Sequence, residues 1–182
     1  MDNAATTPIC EAAKEVIRKN LDIYANPSST HELGRQVRVL IEDARERIAK
    51  CINANPEHIY FTSGGSEANT LALNKRHHTG SSKFEHHSVV TNWPKISVTK
   101  DGFIDSHKLN NMLSEWWEIP FTVMSCMHVN NEIGTIQDIK ELSTVTHRYG
   151  ILLHTDAVQA MPYIPIDVKD LGCDMLSASG HK

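Results

Sequence analysis

The sequence contains no long hydrophobic run, no cluster of basic residues and no recognisable metal-binding spacing. A membrane-spanning helix needs roughly 18 or more consecutive apolar residues, and no stretch of this chain approaches that length. The lack of a Lys/Arg run, together with a formal net charge of −4, argues against direct binding of nucleic acid. Eleven histidines are present, but neither an HExxH nor a CxxC spacing occurs, so we expect no dedicated metal site.

Cysteine is also scarce, and its four positions are widely separated: Cys10, Cys51, Cys126 and Cys173. The chain opens Met-Asp-Asn, without a basic or apolar leader. Small secreted proteins that depend on disulfides have denser cysteine patterns. We therefore expect a reduced, cytoplasmic protein.

The 182 residues, 40% of them hydrophobic and 22% charged, are enough for one ordinary domain with a core. Apolar residues at helical spacing predict helices over residues 9–21, 32–51, 67–73, 103–116 and 139–149. Apolar or β-rich runs predict strands over residues 58–62, 121–127, 151–156 and 174–179. Residues 75–100 are predicted to be loops with two short strands. This alternation predicts an α/β fold, with a mostly parallel sheet and helices on both faces.

Polar residues follow several of the predicted strands at the point where each strand ends. They are residues 63–66, Asn130 and Asn131, Asp156, and residues 179–182. Ligands of open parallel sheets bind beyond the carboxyl ends of the strands. We therefore expect a functional site at this edge.

Lys182 follows the last predicted strand, and Asp156 ends the strand before it. A lysine at this place is either a solvated strand end or a reactive amine, because a buried ammonium requires a partner or a lowered pKa. A reactive lysine points to a Schiff base with pyridoxal phosphate (PLP), whose pyridine nitrogen needs a facing carboxylate. Asp156 is the candidate for that carboxylate.

Ser63-Gly-Gly-Ser66 joins a predicted strand to a predicted helix. Backbone N–H groups that converge at a helix N-terminus form a natural phosphate cradle. The same residues are also typical of an ordinary helix cap. The turn is therefore interpreted either as a phosphate-binding site or as a helix cap.

Seven motifs, spread over the whole chain, carry a family resemblance. They are Asp2-Asn-Ala-Ala-Thr-Thr-Pro8, Asn26-Pro-Ser-Ser-Thr-His31, Phe61-Thr-Ser-Gly-Gly-Ser-Glu-Ala-Asn69, Glu85-His86, His128-Val-Asn-Asn-Glu-Ile-Gly134, His154-Thr-Asp156 with Gln159, and Ser179-Gly-His-Lys182. Together they resemble the cysteine desulfurases of the NifS/IscS type, which are class V, fold-type-I PLP enzymes. The resemblance implies an incomplete large PLP domain over residues 16–182, with residues 1–15 packing against a small domain.

The resemblance assigns roles to nine residues. Lys182 would bind PLP covalently and move the substrate α-proton, Asp156 would pair with the pyridinium nitrogen, and His86 would stack on the ring and transfer protons. The remaining six would bind the rest of the cofactor: Gly65, Ser66, Ser179 and His181 at the phosphate, and Gln159 and Asn131 near the phenolic oxygen. On local grounds alone Gln159 is equally a polar cap after a strand, and His87 has no matching role.

The implied activity converts L-cysteine to L-alanine and passes the sulfur to an enzyme cysteine as a persulfide. The implied partners are a second copy of the chain and a sulfur-acceptor protein such as an iron–sulfur scaffold or a carrier for tRNA thiolation. A selenocysteine lyase, a class V aminotransferase and a catalytically inactive remnant are the alternatives.

The chain departs from the family pattern in two places. The family continues for about as many residues again beyond the lysine, and that part carries the nucleophilic cysteine and the arginine that binds the substrate carboxylate. None of the four cysteines occupies a matching position. Residues 75–100 also look shorter than the family pattern. The chain is either a remnant or part of a longer protein, and Cys126 and Cys173 are expected to be inert thiols in or beside strands.

Overall fold

A computed structural model describes residues 2–73, 78–89, 95–115 and 121–182. Within these ranges five strands form one sheet in which every pairing is parallel. The strands are β1 Thr79–Ser82, β2 Lys95–Ile96, β3 Val123–Met127, β4 Leu152–Asp156 and β5 Met175–Ser177. Their order across the sheet is β2-β1-β3-β4-β5.

The strand order reverses direction between β1 and β3. The chain passes from β1 to its neighbour β2 on one side and then returns to β3 on the other side, after which β4 and β5 follow in sequence. Such a reversal opens a crevice at the carboxyl ends of the two central strands, which is where parallel sheets bind ligands. The loops that follow β1 and β3 therefore border the expected site.

Helices cover both faces of the sheet. On one face Met124 and Leu153 pack in a buried cluster with side chains of α4 (Ser106–Glu115) and α5 (Ile139–His147). On the other face Val123 packs in a cluster with the end of α3 (Gly65–Ala72). Successive residues of a strand point to opposite faces, so the adjacent Val123 and Met124 belong to different clusters. The predicted α/β architecture is confirmed.

Three further helices are α1 (Glu11–Asn20), α2 (Glu32–Cys51) and α6 (Val168–Leu171). The α6 helix was not predicted, because four residues are too few to display a periodicity. It depends on its caps: the Asp167 carboxylate accepts hydrogen bonds from two N–H groups of the first turn, and Gly172 ends the helix in the left-handed conformation.

The strand predicted over residues 58–62 is wrong. Pro56–His58 forms a 3-10 turn, and the residues after it join no strand in the described ranges. Pro56 favours a helical start through its fixed φ, and the Ile59 carbonyl accepts a hydrogen bond from the Arg45 guanidinium instead of a strand partner. The two short strands predicted within residues 75–100 are present as β1 and β2, and the predicted helix end at Trp116 lies outside the described residues.

The chain divides into two compact units. One comprises the residues up to Tyr60 together with His181, and the other comprises residues 61–180 together with Lys182. The first unit consists of α1, α2 and the 3-10 turn and exposes several large apolar side chains. The boundary predicted between residues 15 and 16 stays a prediction. Among the described residues no helix has the length and apolar character needed to cross a membrane.

Candidate active site at the carboxyl edge

Asp156 ends β4 and is only 2% exposed. A buried carboxylate requires hydrogen-bond donors to offset the loss of water. Its Oδ1 accepts from the backbone N–H of Val158 at 3.0 Å, and its Oδ2 accepts from the side-chain amide of Asn69 at 2.8 Å. Asp156 is therefore a fixed acceptor at the strand end that the sequence predicted.

A chain of side-chain hydrogen bonds leads from Asp156 to His86. The Asn69 amide that contacts Asp156 also donates to Ser88 Oγ at 2.9 Å, and Ser88 Oγ lies 2.7 Å from Nδ1 of His86. His86 is half-buried in the loop after β1. Asn69 and Ser88 had no predicted role, because no local pattern marks either residue. Asn69 does lie within one of the seven family motifs.

The surroundings of His86 favour its neutral form. Burial lowers the pKa of His86, and the neighbouring His87 and the Lys182 ammonium lower it further, while the Asp156 carboxylate opposes them. The interactions with Asp156 and Lys182 mean that both of these predicted site residues lie within electrostatic range of His86. The tertiary structure thus brings them together from three separate segments.

The N-terminus of α3 closely approaches the chain that follows Asp156. A Cβ atom added to Gly65 would lie 2.7 Å from Cγ2 of Val158 and 3.9 Å from Cβ of Ser179. Only glycine allows this approach. First-turn N–H groups have no acceptor within their own helix, and the N-cap residue Gly64 supplies no capping side chain. Gly65 and Ser179 therefore adjoin a helix end suited to an anion, and Ser66 is exposed in the same first turn.

The loop after β3 is organised by Asn130. Its Oδ1 accepts from the N–H groups of Glu132 and Ile133 at 2.9 and 3.0 Å, and its Nδ2 donates to the Phe84 carbonyl at 3.0 Å. These bonds tie the loops after β1 and β3 together at the reversal point. Asn131, the predicted site residue, is half-buried in this turn.

The other two predicted residues lie in different surroundings. Gln159 is 8% exposed and lies three residues beyond Asp156. His181 belongs to the first unit, where its carbonyl accepts from the Thr7 N–H at 3.0 Å and its Nδ1 lies 3.3 Å from Thr6 Oγ1.

A buried polar network that the sequence did not predict lies beneath the edge. The Glu85 carboxylate accepts from the Met127 N–H at 2.8 Å, from Ser125 Oγ at 3.2 Å and from Ser82 Oγ. Burial raises the pKa of Glu85 to about 7, against the effect of these donors. The network continues from Ser125 to His154 and is anchored on β3, so it holds the Glu85-His86 loop against the sheet.

The four cysteines differ in burial, and the two less exposed thiols are unsuited to nucleophilic chemistry. Cys126 is completely buried, and burial raises the pKa of its thiol well above the ordinary value. Cys173 is half-buried, and burial raises the pKa of its thiol to about 11. Both thiols are therefore poor nucleophiles, as predicted. Cys10 and Cys51 are exposed.

Comparison with known proteins identifies the family. The sequence model of the aminotransferase class V family matches residues 1–182, which is the whole chain. The chain belongs to this family. The class V chain is 41% identical over 201 residues to the cysteine desulfurase IscS of Dictyoglomus turgidum, covering all of this chain and 50% of that protein. It thus spans about half the length of the curated relatives that it matches.

Solved structures agree with this assignment. A NifS-like protein from Rickettsia africae superposes with a TM-score of 0.89 at 34% identity, covering 99% of the class V chain and 53% of that structure. The structure described as SspA in complex with cysteine superposes with a TM-score of 0.90 at 32% identity, covering 99% and 56%. The predicted fold-type-I domain and the NifS/IscS resemblance are confirmed.

Enzymes of this family use PLP, and the described residues fit that cofactor. A PLP site needs a carboxylate for the ring nitrogen, an amine for the aldehyde and anion donors for the phosphate. Asp156 is buried with two donors on its carboxylate, Lys182 lies within electrostatic range of His86, and the start of α3, which has no side-chain cap, offers N–H donors.

Proposed function

We propose that the protein is a PLP-dependent cysteine desulfurase, or the cofactor-binding part of one. The observation that carries this proposal is the buried Asp156 carboxylate, held by Asn69 and Val158 and within electrostatic range of the same imidazole as Lys182. The names of the relatives support the reaction, because the D. turgidum protein is named a cysteine desulfurase and SspA is described in complex with cysteine.

When bound, PLP supplies an electron-accepting ring that stabilises a carbanion at the substrate Cα. Asp156 would pair with the pyridine nitrogen and keep that nitrogen protonated. Lys182 would bind the cofactor and then carry the Cα proton, and His86 would cover the ring and transfer protons. For these tasks the neutral imidazole that burial favours is the useful form.

The remaining predicted residues would orient the cofactor. The N–H groups of Gly65 and Ser66 and the hydroxyl of Ser179 are proposed for the phosphate, which suits the close approach of α3 to residues 158 and 179. His181 is proposed for the phosphate on the resemblance alone. Gln159 and Asn131 would donate hydrogen bonds near the phenolic oxygen.

In the proposed reaction the C–S bond of L-cysteine breaks, the sulfur joins an enzyme thiol as a persulfide, and L-alanine leaves. The resemblance puts the attacking thiol beyond Lys182, in the part of the relatives that this chain does not cover. Cys126 and Cys173 are unsuitable because burial raises their thiol pKa values. We expect no persulfide transfer from residues 1–182 alone, and sulfide release from cysteine with a reductant would contradict this.

We further propose that the protein acts in the cytoplasm as a homodimer, with residues 1–15 against a small domain, and delivers sulfur to an acceptor such as an iron–sulfur scaffold. The four free, scattered cysteines support a reducing compartment. The IscS and NifS names of the relatives support the sulfur-delivery role.

The test is absorbance with added PLP. The wild-type protein should develop a band at about 400 nm, which is typical of PLP bound to a lysine, and Lys182→Ala should lose it. Lys169→Ala, at an exposed lysine of α6, is the matched control and should keep the band. An unchanged band in Lys182→Ala would overturn the assignment.

The family description itself favours one other reaction, amino-group transfer. An aminotransferase would require a keto acid as the acceptor and would return PLP from its amine form. A cysteine desulfurase should instead produce alanine from cysteine without any keto acid. Measuring alanine with and without pyruvate in the complete enzyme distinguishes the two.

A further inference from the structure

We propose that Asn69 and Ser88 are positioning residues that join the Asp156 carboxylate to the His86 imidazole, so that one buried amide orients both groups. The role at the cofactor rests on the proposed function, whereas the hydrogen-bonded chain itself does not. Neither residue belongs to the predicted site.

The Asn69 side chain uses both of its amide hydrogens. The residue lies in α3 and is 1% exposed, and its Nδ2 donates to Asp156 Oδ2 at 2.8 Å and to Ser88 Oγ at 2.9 Å. An ionised carboxylate can only accept hydrogen bonds. The amide orientation is therefore determined, because the reversed orientation would set two acceptor oxygens against each other.

Ser88 in turn orients the His86 ring through its own hydrogen bonds. Because Ser88 Oγ accepts from Asn69, its own hydrogen is free to point to His86 Nδ1, which lies 2.7 Å away. The Ser88 backbone N–H also donates to the same Nδ1 at 3.2 Å. Two donors to Nδ1 require it to be unprotonated, so the proton of the neutral ring lies on Nε2.

In the described part of the chain, the Asn69 amide leaves one of its own polar atoms unpaired. Its Oδ1 is buried and has no hydrogen-bond partner among the described residues. A buried, unpaired acceptor is unfavourable for folding. The same amide provides two directed donors, one to the Asp156 carboxylate and one to Ser88 Oγ, which points to a positioning role.

The functional consequence is a fixed relation between two groups that would contact the same ring of the cofactor, Asp156 at its nitrogen and His86 on its face. Loss of Asn69 would leave Asp156 with one donor and Ser88 Oγ without its fixed neighbour. The charged or titratable groups that act on His86 are His87, Asp156 and Lys182, and the substitutions below retain all three. A change at His86 would therefore report on the hydrogen-bonded chain.

The first experiment uses the complete enzyme without PLP and measures the ring nitrogens of His86 by ¹⁵N NMR across a pH titration. We expect the Nε2–H tautomer in the wild type. Ser88→Ala should lower the population of this tautomer and raise the pKa of His86, because a donor to the neutral ring is lost. Ser88→Thr, which keeps the hydroxyl, should restore both properties.

Asn69→Ala should change the His86 signals in the same direction but less, and the double variant should behave as Ser88→Ala alone, since Asn69 acts through Ser88. Thr70→Ala is the control, because Thr70 is the next residue of α3 and its hydroxyl bonds only to the Ser66 carbonyl in the described structure. Thr70→Ala should leave His86 unchanged. Identical His86 tautomers in the wild type, Asn69→Ala and Ser88→Ala would overturn the proposal, as would additive effects.

The second experiment measures PLP binding by absorbance titration in the same variants. We expect Asn69→Ala to raise the dissociation constant about tenfold, the equivalent of one lost hydrogen bond to a charged group, and Thr70→Ala to leave it unchanged. If the variants change the His86 tautomer as expected but the enzyme binds no PLP, the proposed function is refuted and the hydrogen-bonded chain from Asp156 to His86 still stands. PLP binding that is equal in Asn69→Ala and wild type would refute the positioning role.

Discussion

Glu85 and His154 contact the same hydroxyl group, that of Ser125, and burial shifts their pKa values in opposite directions. Ser125 Oγ lies 3.2 Å from Glu85 Oε2 and 2.9 Å from His154 Nδ1, and Nε2 of His154 lies 2.9 Å from Ser177 Oγ. Burial raises the pKa of Glu85 to about 7 and lowers the pKa of His154 to about 4. The two groups therefore both favour their neutral forms, at the paired residues Ser125 and His154 of the inner strands β3 and β4.

This pair predicts an unusual pH dependence of stability. The folded state retains a proton on Glu85 that the unfolded state releases, so Glu85 lowers the unfolding free energy as pH rises from about 4.5 to about 7. His154 does the opposite: the unfolded state gains a proton below pH 6.5, so stability rises with pH from about 4 to 6.5. Each contribution is of the order of 3 kcal/mol, and the two largely cancel in the wild type.

Substitutions should reveal each contribution separately. In urea titrations at a series of pH values, Glu85→Gln should become more stable as pH rises from 4 to 6.5, whereas His154→Asn should become less stable as pH rises from 4.5 to 7. Slopes of the same sign in the two variants would contradict the opposed pair.

The pKa of His86 should respond in opposite directions to its two charged neighbours. Lys182 lowers this pKa and Asp156 raises it, so Lys182→Ala should raise it and Asp156→Asn should lower it, as measured by NMR titration of the ring. His87→Ala should raise it, because His87 also lowers it. A His86 pKa that is insensitive to both Asp156 and Lys182 would mean that these groups are not neighbours.

Gly65 should not tolerate a side chain. A Cβ atom would lie 2.7 Å from Val158 Cγ2, so Gly65→Ala should destabilise the protein by about 1–3 kcal/mol, typical of overpacking, in chemical denaturation. Combining it with Val158→Ala should reduce this cost, because the clashing methyl group is gone. Gly64→Ala is the matched control, since an added Cβ there meets no atom within 4 Å. An equal loss in both glycine variants would show that the contact with Val158 is not the cause.

The four thiols should differ in reactivity in the native protein. Cys10 and Cys51 are exposed and should react quickly with a thiol reagent at pH 8, whereas Cys126 should react only on unfolding. Cys173 should react slowly, because burial raises its pKa to about 11. Mass spectrometry of briefly labelled protein would identify each site, and rapid labelling of Cys126 would contradict its place in the core.

Local patterns predicted much of this structure. The helix over residues 32–51 was predicted with its observed bounds, and β4 was predicted to within one residue, because apolar periodicity is a property of neighbouring residues. The strand predicted over residues 58–62 was wrong because a strand also needs a pairing partner, which composition does not reveal. The α6 helix was missed because its stability lies in its caps.

The sequence by itself determined the α/β alternation, the family, the strand-end position of Asp156 and the place of Lys182 after the last strand, since short local runs of residues carry each of these features. Only the tertiary structure decided that Asn69, Ser88 and His86 form one connected path from Asp156, and that Glu85 shares a hydroxyl group with His154. The reason is physical: a hydrogen bond depends on the distance and direction between two groups. Asn69 and Asp156, 87 positions apart in the chain, acquire both only when α3 packs against the sheet.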